Sequence, residues 1–250
     1  MDNVDKAFYG QWLSYVKNNI FDISGEALNK LELFFNEIVE YNRNVNLVSV
    51  KEDKDFLYRH FADSLQAVKM LNKYFGAEKI KIADIGTGAG FPGLPLKIAL
   101  GDKINITLVE SITKKCKFIG HIIQKANLKG IQVENARAED LGQNPEFREK
   151  FDIVISRAMS KFSPNLEVAL PLVKTGGYFM VYKTKQSLEG AEGLISINNA
   201  LKELHAELVE TYNYALPYQT MDYCLLVFKK LSASPAKYPR KAGIPEKKPL

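Results

Sequence analysis

One short run concentrates much of the chemistry this chain can offer: Ala83-Asp84-Ile85-Gly86-Thr87-Gly88-Ala89-Gly90-Phe91-Pro92-Gly93. Glycines let a backbone turn sharply and approach a ligand closely. The apolar stretch Lys79 to Ile85 leads into them. Pro92 opens a second apolar stretch to Leu100, and the first turn is the place where a helix best tolerates proline. Strand, glycine loop and helix in succession are the setting of a nucleotide-type site. Glu110 closes the following apolar run, twenty residues after Gly90. An acid there projects at the carboxyl edge of a parallel sheet and can accept both hydroxyls of a ribose.

Two ligand classes compete for this loop. Gly88-x-Gly90-x-x-Gly93 satisfies the fingerprint of nicotinamide and flavin dinucleotide enzymes. Asp84 counts against them, because a carboxylate before the glycines repels a pyrophosphate and suits the cationic sulfonium and ammonium of S-adenosylmethionine. Pro92 also removes a backbone donor that a pyrophosphate would need. The residues favour S-adenosylmethionine, with a dinucleotide or a packing turn carrying a surface acid as alternatives. Arg137-Ala138-Glu139 follows the third expected strand, where backbone N–H groups near Ala138 and Glu139 could read an adenine edge. Glu139 is equally suited to the positive end of a helix. Ser156-Arg157-Ala158 follows the fourth strand. Arg157 could hold an anionic group of substrate or cofactor, or pair with Glu110 or Asp84.

The elements that must position these residues follow from periodicity. Residues 1–75 read as helical. Ser24 is a candidate N-cap before Leu28, Leu31, Phe34, Phe35, Ile38 and Val39, which share a face, and a second helix spans about Asp53 to Tyr74. Strands are expected near Lys79–Ile85, Ile104–Val109, Ile131–Glu134, Phe151–Ser156, Gly177–Lys183, Glu207–Tyr214 and Asp222–Phe228. Helices are expected at Pro92–Leu100, Thr113–Ala126, Asn165–Leu172 and Ser187–His205. Alternating strands and helices imply an α/β, doubly wound, mostly parallel seven-stranded sheet. The last two strands are too close for a helical crossover, so the last strand runs antiparallel. The domains read as a helical extension over 1–75, a core over 76–230 and a basic tail over 231–250.

The chain has 250 residues and a formal charge of +5, unevenly placed. Lys229 to Leu250 holds seven basic residues and one acid, leaving 27 positive and 28 negative charges on the first 228 residues. The tail, rich in Pro, Lys, Ser and Ala, is expected on the surface or mobile. The 46% hydrophobic composition excludes a largely disordered or fibrous chain. No apolar run is long enough for a spanning helix, and MDNVDKAFYGQW does not read as a signal peptide. Cys116, Cys224 and three histidines show no metal-ligand spacing. A cytoplasmic, reduced, metal-independent monomer is expected.

The residue after the fourth strand also narrows the methyl acceptor. Amino-group methylation of a base uses an Asn/Asp-Pro-Pro-aromatic loop there, whereas this chain has Ser156-Arg157-Ala158-Met159. Pyrimidine carbon-5 methylation needs a cysteine nucleophile, and both cysteines read as core. A guanine N7 lone pair is nucleophilic without deprotonation, so proximity and charge stabilisation suffice.

Asn46-Leu47, Arg59-His60-Phe61-Ala62-Asp63-Ser64-Leu65, the Asp84 to Leu96 run, Leu108-Val-Glu-Ser, Lys114-Lys115, Arg137-Ala138-Glu139, Ser156-Arg157-Ala158 and Lys237 to Pro245 occur in an order that resembles one family. It is that of the small-subunit (16S) ribosomal RNA guanine-N7 methyltransferases, also called glucose-inhibited division protein B. Lys183-Thr184 departs from that family's usual Lys-Gly. The resemblance implies the Rossmann-like class I methyltransferase fold, S-adenosylmethionine as cofactor, and ribosomal RNA or a ribosomal particle as substrate. Implied cofactor contacts are Gly86, Phe91, Ala138, Glu139 and Arg157, joined by Asp84, Gly88 and Glu110 from the physical argument. Arg59, His60, Asp63 and Ser64 would lie on a lid side. His60 and Arg157 are candidates for positioning, though His60 could equally be a packed helix residue and Arg59 and Asp63 a helical ion pair. Lys237, Arg240 and Lys241, with Tyr238, would meet RNA, or the tail would only aid solubility. Lys114, Lys115 and Lys117 would extend the patch or solvate a helix.

Overall fold

Strands β1 (Ile80–Ile85), β2 (Ile104–Val109), β3 (Ile131–Glu134), β4 (Phe151–Arg157), β5 (Val173–Thr184), β6 (Ala206–Ala215) and β7 (Asp222–Lys230) form one sheet in the order β3-β2-β1-β4-β5-β7-β6. The structure is a computed structural model describing residues 6–43, 47–48, 56–157, 161–189 and 197–250. β1 to β5 pair in parallel, while β7 runs antiparallel to both β5 and β6. The segment between β6 and β7 is too short for a crossover, which forces the reversal.

Side chains alternate across the sheet and so divide the core in two. On one face Ile82, Ile104, Ile106, Leu108, Ile153, Ile155 and Met180 pack under α1 (Lys6–Asn19), α2 (Gly25–Asn42), α3 (57–75), α4 (Gly93–Leu100) and α5 (Thr113–Lys125). On the other, Ala83, Ile85, Val109, Val154, Phe179 and Val181 pack against α6 (Ala138–Gln143), α7 (Phe162–Ala169) and α8 (Asn198–Glu203). Ser24 caps α2 as expected, accepting from the Ala27 N–H at 3.2 Å. Here α3 denotes the helical run after Phe56. Its first part, Leu57–Ala62, is a π-helix, and Asp63–Leu65 and Ala67–Phe75 continue it. The expected start at Asp53 lies outside the described residues, as do Asn46, Ala158 and Met159.

Two helices differ from expectation. The one read as Asn165–Leu172 begins at Phe162 and ends at Ala169, because Pro164 fits the first turn. Of the helix read as Ser187–His205, the described residues show a 3-10 turn, Lys185–Leu188, and α8; 190–196 lie outside them.

The tail is not loose. Arg148 donates to the carbonyls of Gly142, Tyr238, Ser234 and Pro235 at 2.7–3.2 Å. Tyr238 is buried, and the chain ends in a short helix, α9 (Ile244–Lys247). The mobile alternative fails because one planar guanidinium gathers four carbonyls that would otherwise need water. Among the described residues no helix is long and apolar enough to cross a membrane, and no cluster of His, Cys, Asp and Glu could hold a metal.

Candidate active site

The carboxyl ends of β1, β2 and β4 converge on the glycine loop. Asp84 lies one residue before the end of β1 and has no solvent exposure. Its Oδ2 accepts from the Thr87 hydroxyl at 2.5 Å and from the Gly93 N–H, in the first turn of α4, at 2.8 Å. The site a dinucleotide's pyrophosphate needs, the amino end of this helix, therefore already holds the protein's own carboxylate. Gly93 is required there, because a Cβ would stand 2.7 Å from Asp84 Oδ2 and 2.2 Å from Leu108 Cδ2. Among the described residues Asp84 Oδ1 is buried with no hydrogen-bond partner. Burial pushes this carboxyl up to about 7, against the stabilising pull of Thr87, Gly93 and Arg157. A carboxylate with one orphaned oxygen in a low dielectric calls for a cation or donor.

Glu110, just beyond β2, is likewise buried. It accepts from the Gly88 N–H at 3.0 Å through Oε2 and from the Ile112 N–H at 2.8 Å through Oε1. Gly86 and Thr87 donate to the Val109 carbonyl at 2.9 and 3.1 Å, closing the loop onto β2. Gly90 sits at φ +100°, and a Cβ on it would collide with Leu94 at 2.3 Å.

Phe91 turns inward from the loop into an aromatic cluster. Its ring centroid lies 5.0 Å from that of Phe34, 5.2 Å from Phe61 and 5.2 Å from His60. The Arg157 guanidinium, at the end of β4, covers the same ring at 5.2 Å. Arg157 does not pair with Glu110 or Asp84. Its Nη1 donates to the Arg59 carbonyl at 3.0 Å and to Asp63 Oδ2 at 3.2 Å, and Nη2 meets His60 Nδ1 at 3.0 Å. A guanidinium has no acceptor, so His60 Nδ1 accepts and is unprotonated. Asp63 therefore serves Arg157 rather than forming the i, i+4 pair with Arg59, which is exposed.

Asp84, Gly86, Gly88, Phe91, Glu110, Arg157 and His60 are thus one constellation linked by hydrogen bonds and ring contacts. Ala138 and Glu139 open α6 after β3. Glu139 Oε1 accepts from the Gly243 N–H at 3.3 Å, so the tail reaches this helix. A groove of about 520 Å³ between α6 and the tail is lined by Glu139, Gln143, Lys237, Pro239, Lys241 and Ile244 among others.

The basic tail offers less positive charge than its composition suggests. Arg240, expected on RNA, is instead held by Glu167: Nε lies 2.8 Å from Oε1 and Nη2 2.5 Å from Oε2, and the Arg240 N–H adds a third bond. Glu167 is wholly buried and needs this partner. Lys230 is also buried, bonded to Glu149 at 2.6 Å and to the Leu170 and Val173 carbonyls. Lys237 pairs with Glu203 at 3.1 Å across the surface, and Lys241 is exposed. Lys114 and Lys117 are exposed on the first turns of α5.

Two contacts at this site are not legible in the sequence. Tyr214 donates to Asp63 Oδ1 at 2.5 Å from 151 residues away, and Thr87 binds Asp84. The alternation of Tyr212 and Tyr214 along β6 was the available signal.

Comparison with known proteins agrees with this geometry. The solved structure of a SAM dependent methyltransferase from Aquifex aeolicus superposes with a TM-score of 0.51 at 13% identity, covering 78% of this chain and 97% of that one; the fold is shared. Among curated proteins, the ribosomal RNA small subunit methyltransferase G of Alkaliphilus oremlandii (strain OhILAs) is 39% identical over 92% of this chain and 93% of its own length. That of Lysinibacillus sphaericus (strain C3-41) is 35% identical over 96% and 98%. The profile of the family described as rRNA small subunit methyltransferase G matches residues 27–212. The glycine loop with its buried acid, the reversed last strand and these likenesses have one meaning: the chain belongs to the rRNA small subunit methyltransferase G family.

Proposed function

We propose that the protein transfers a methyl group from S-adenosylmethionine to N7 of a guanine in small-subunit ribosomal RNA. The observation that carries this reading is Asp84, buried, raised to about 7 and, among the described residues, left with one unpartnered oxygen, surroundings that favour a cationic cofactor over a pyrophosphate. Bound there, the cofactor supplies an electrophilic methyl on a positive sulfur. Gly86 and Gly88 would line its path, Glu110 would take the ribose, and the amides near Ala138 and Glu139 would take the adenine. Phe91 and Arg157 would bound the methionine end beneath α3.

Guanine N7 needs no base, so residues 76–230 need only align the two reactants and stabilise the charge that moves between them. Helices of segment 1–75 cover the site, and the tail, 231–250, flanks the adenine side. RNA backbone would be met by Lys241 and Lys237 on the groove rim, with the target base drawn from its stack. Arg240 is assigned to the fold instead. Mapping N7-methylguanosine in ribosomal RNA from cells with and without the protein tests the reaction. Methylation that persists unchanged without it would overturn the assignment, as would calorimetry showing no binding of S-adenosylhomocysteine.

A further inference from the structure

Three strands reach from the sheet to the stretch of α3 from Arg59 to Gln66. Arg157 at the end of β4 bonds the Arg59 carbonyl, His60 and Asp63. Tyr182, its register partner on β5, donates to the Ser64 carbonyl at 2.6 Å. On β6, Tyr214 donates to Asp63 Oδ1 and Tyr212 to Gln66 Oε1 at 3.2 Å. The sequence Asp63-Ser64-Leu65-Gln66 is buried throughout, so the bonds from Tyr182, Tyr214 and Tyr212 end on groups shielded from water, where their loss is felt most. Asp63 is the hub. One oxygen takes Tyr214 and the other Arg157, and burial nevertheless raises its carboxyl above the ordinary range.

The segment so held, Arg59 to Gln66, takes in the end of the π-helix Leu57–Ala62, a local widening of the helix that is common at functional sites. It carries His60 and Phe61 onto Phe91 of the glycine loop. The arrangement of α3 over the methyl-donor site thus depends on a side chain from the penultimate strand in the chain.

We propose that Tyr214 and Asp63 are positioning residues for methyl transfer. They fix the Arg157 guanidinium, and through it the π-helix, in the arrangement that places the acceptor base. Neither touches the reacting atoms. This rests on the methyl-transfer reading of the site, and the test is chosen to stand apart from it.

Tyr214→Phe removes one hydroxyl and no volume from the core. Hydrogen exchange on the folded variant should show faster exchange of the α3 amides from Phe61 to Gln66, with β1 and β2 unchanged. Turnover on undermethylated small subunits at saturating cofactor should fall about tenfold, the scale of one bond to a charged group, with KM for RNA within about twofold. Arg157→Lys should cost more, and Tyr214→Phe added to it should cost less than about twofold further, because the first acts through the second. Asp63→Asn should repeat the Tyr214→Phe pattern. Unchanged α3 exchange in Tyr214→Phe overturns the proposal, as do wild-type turnover with a lowered melting temperature or fully multiplicative losses. An inactive wild type would count against the reaction instead, and the exchange measurement would still decide the grip on α3.

Discussion

The Arg240 guanidinium is held bidentate by Glu167, a carboxylate with no solvent exposure, across 73 residues of chain. The most basic segment of the protein thus directs one of its charges inward, to pin residues 231–250 against α7.

Removing one member of such a pair leaves the other buried without a partner, a cost of about 3–5 kcal/mol when both are enclosed. Arg240 is partly exposed, so Arg240→Ala should lose about 2–3 kcal/mol in urea unfolding, while the double change Arg240→Met with Glu167→Leu recovers most of it. A single-variant loss below about 0.5 kcal/mol would show the pair to be solvated.

Asp84 predicts a pH dependence of both stability and binding. Its folded value, about 7, lies above the ~3.9 of an unfolded aspartate. The stability it contributes is therefore complete below about pH 4 and is lost as pH rises through 7, by an amount on the order of 4 kcal/mol. Asp84→Asn should flatten that slope in denaturation followed from pH 5 to 8. Affinity for S-adenosylmethionine should move oppositely, tightening as pH rises toward and through 7 because the cation prefers the carboxylate. An affinity independent of pH in the wild type would refute this.

Gly93→Ala puts a methyl within 2.7 Å of Asp84 Oδ2. Backbone must shift where α4 begins, at about 1–3 kcal/mol in stability. Cofactor affinity should drop at least about tenfold by calorimetry, and unaltered binding would mean that the loop tolerates the displacement.

Lys241 and Lys230 separate charge from position. Lys241→Ala should reduce the salt slope of RNA binding by about 0.7–0.9, the loss of one phosphate contact, with unfolding unaffected. Lys230→Ala should do the reverse, destabilising the protein by removing a buried cation from Glu149 and two carbonyls. Equal salt slopes for wild type and Lys241→Ala would remove the tail from the RNA interface.

What the sequence discloses depends on how local the cause is. The strands and the glycine loop are legible because periodicity and glycine act over a few residues, and Asp84 and Glu110 are placed by their position relative to those strands. Arg157 was read correctly as a residue at the end of β4. Its partners were not, since nothing near it indicates that α3, 94 residues earlier, passes overhead. Arg240 shows the same limit from the side of charge. A count of lysines and arginines registers their sign but not that Glu167 waits inside, so the tail looked both more mobile and more available than it is.

β7 lies between β5 and β6, although it is made after both. Until residues up to 230 have been synthesised, β6 has no neighbour on the sheet. Tyr214 then cannot reach Asp63, and Tyr15 of the first helix cannot reach the Ala215 carbonyl, 200 residues on. Arg157 of β4 and Tyr182 of β5 reach α3 without β7, whereas Tyr212 and Tyr214 join them once β7 has inserted. The last strand to be made is therefore the one that ties β6, and with it Tyr214, to the rest of the sheet.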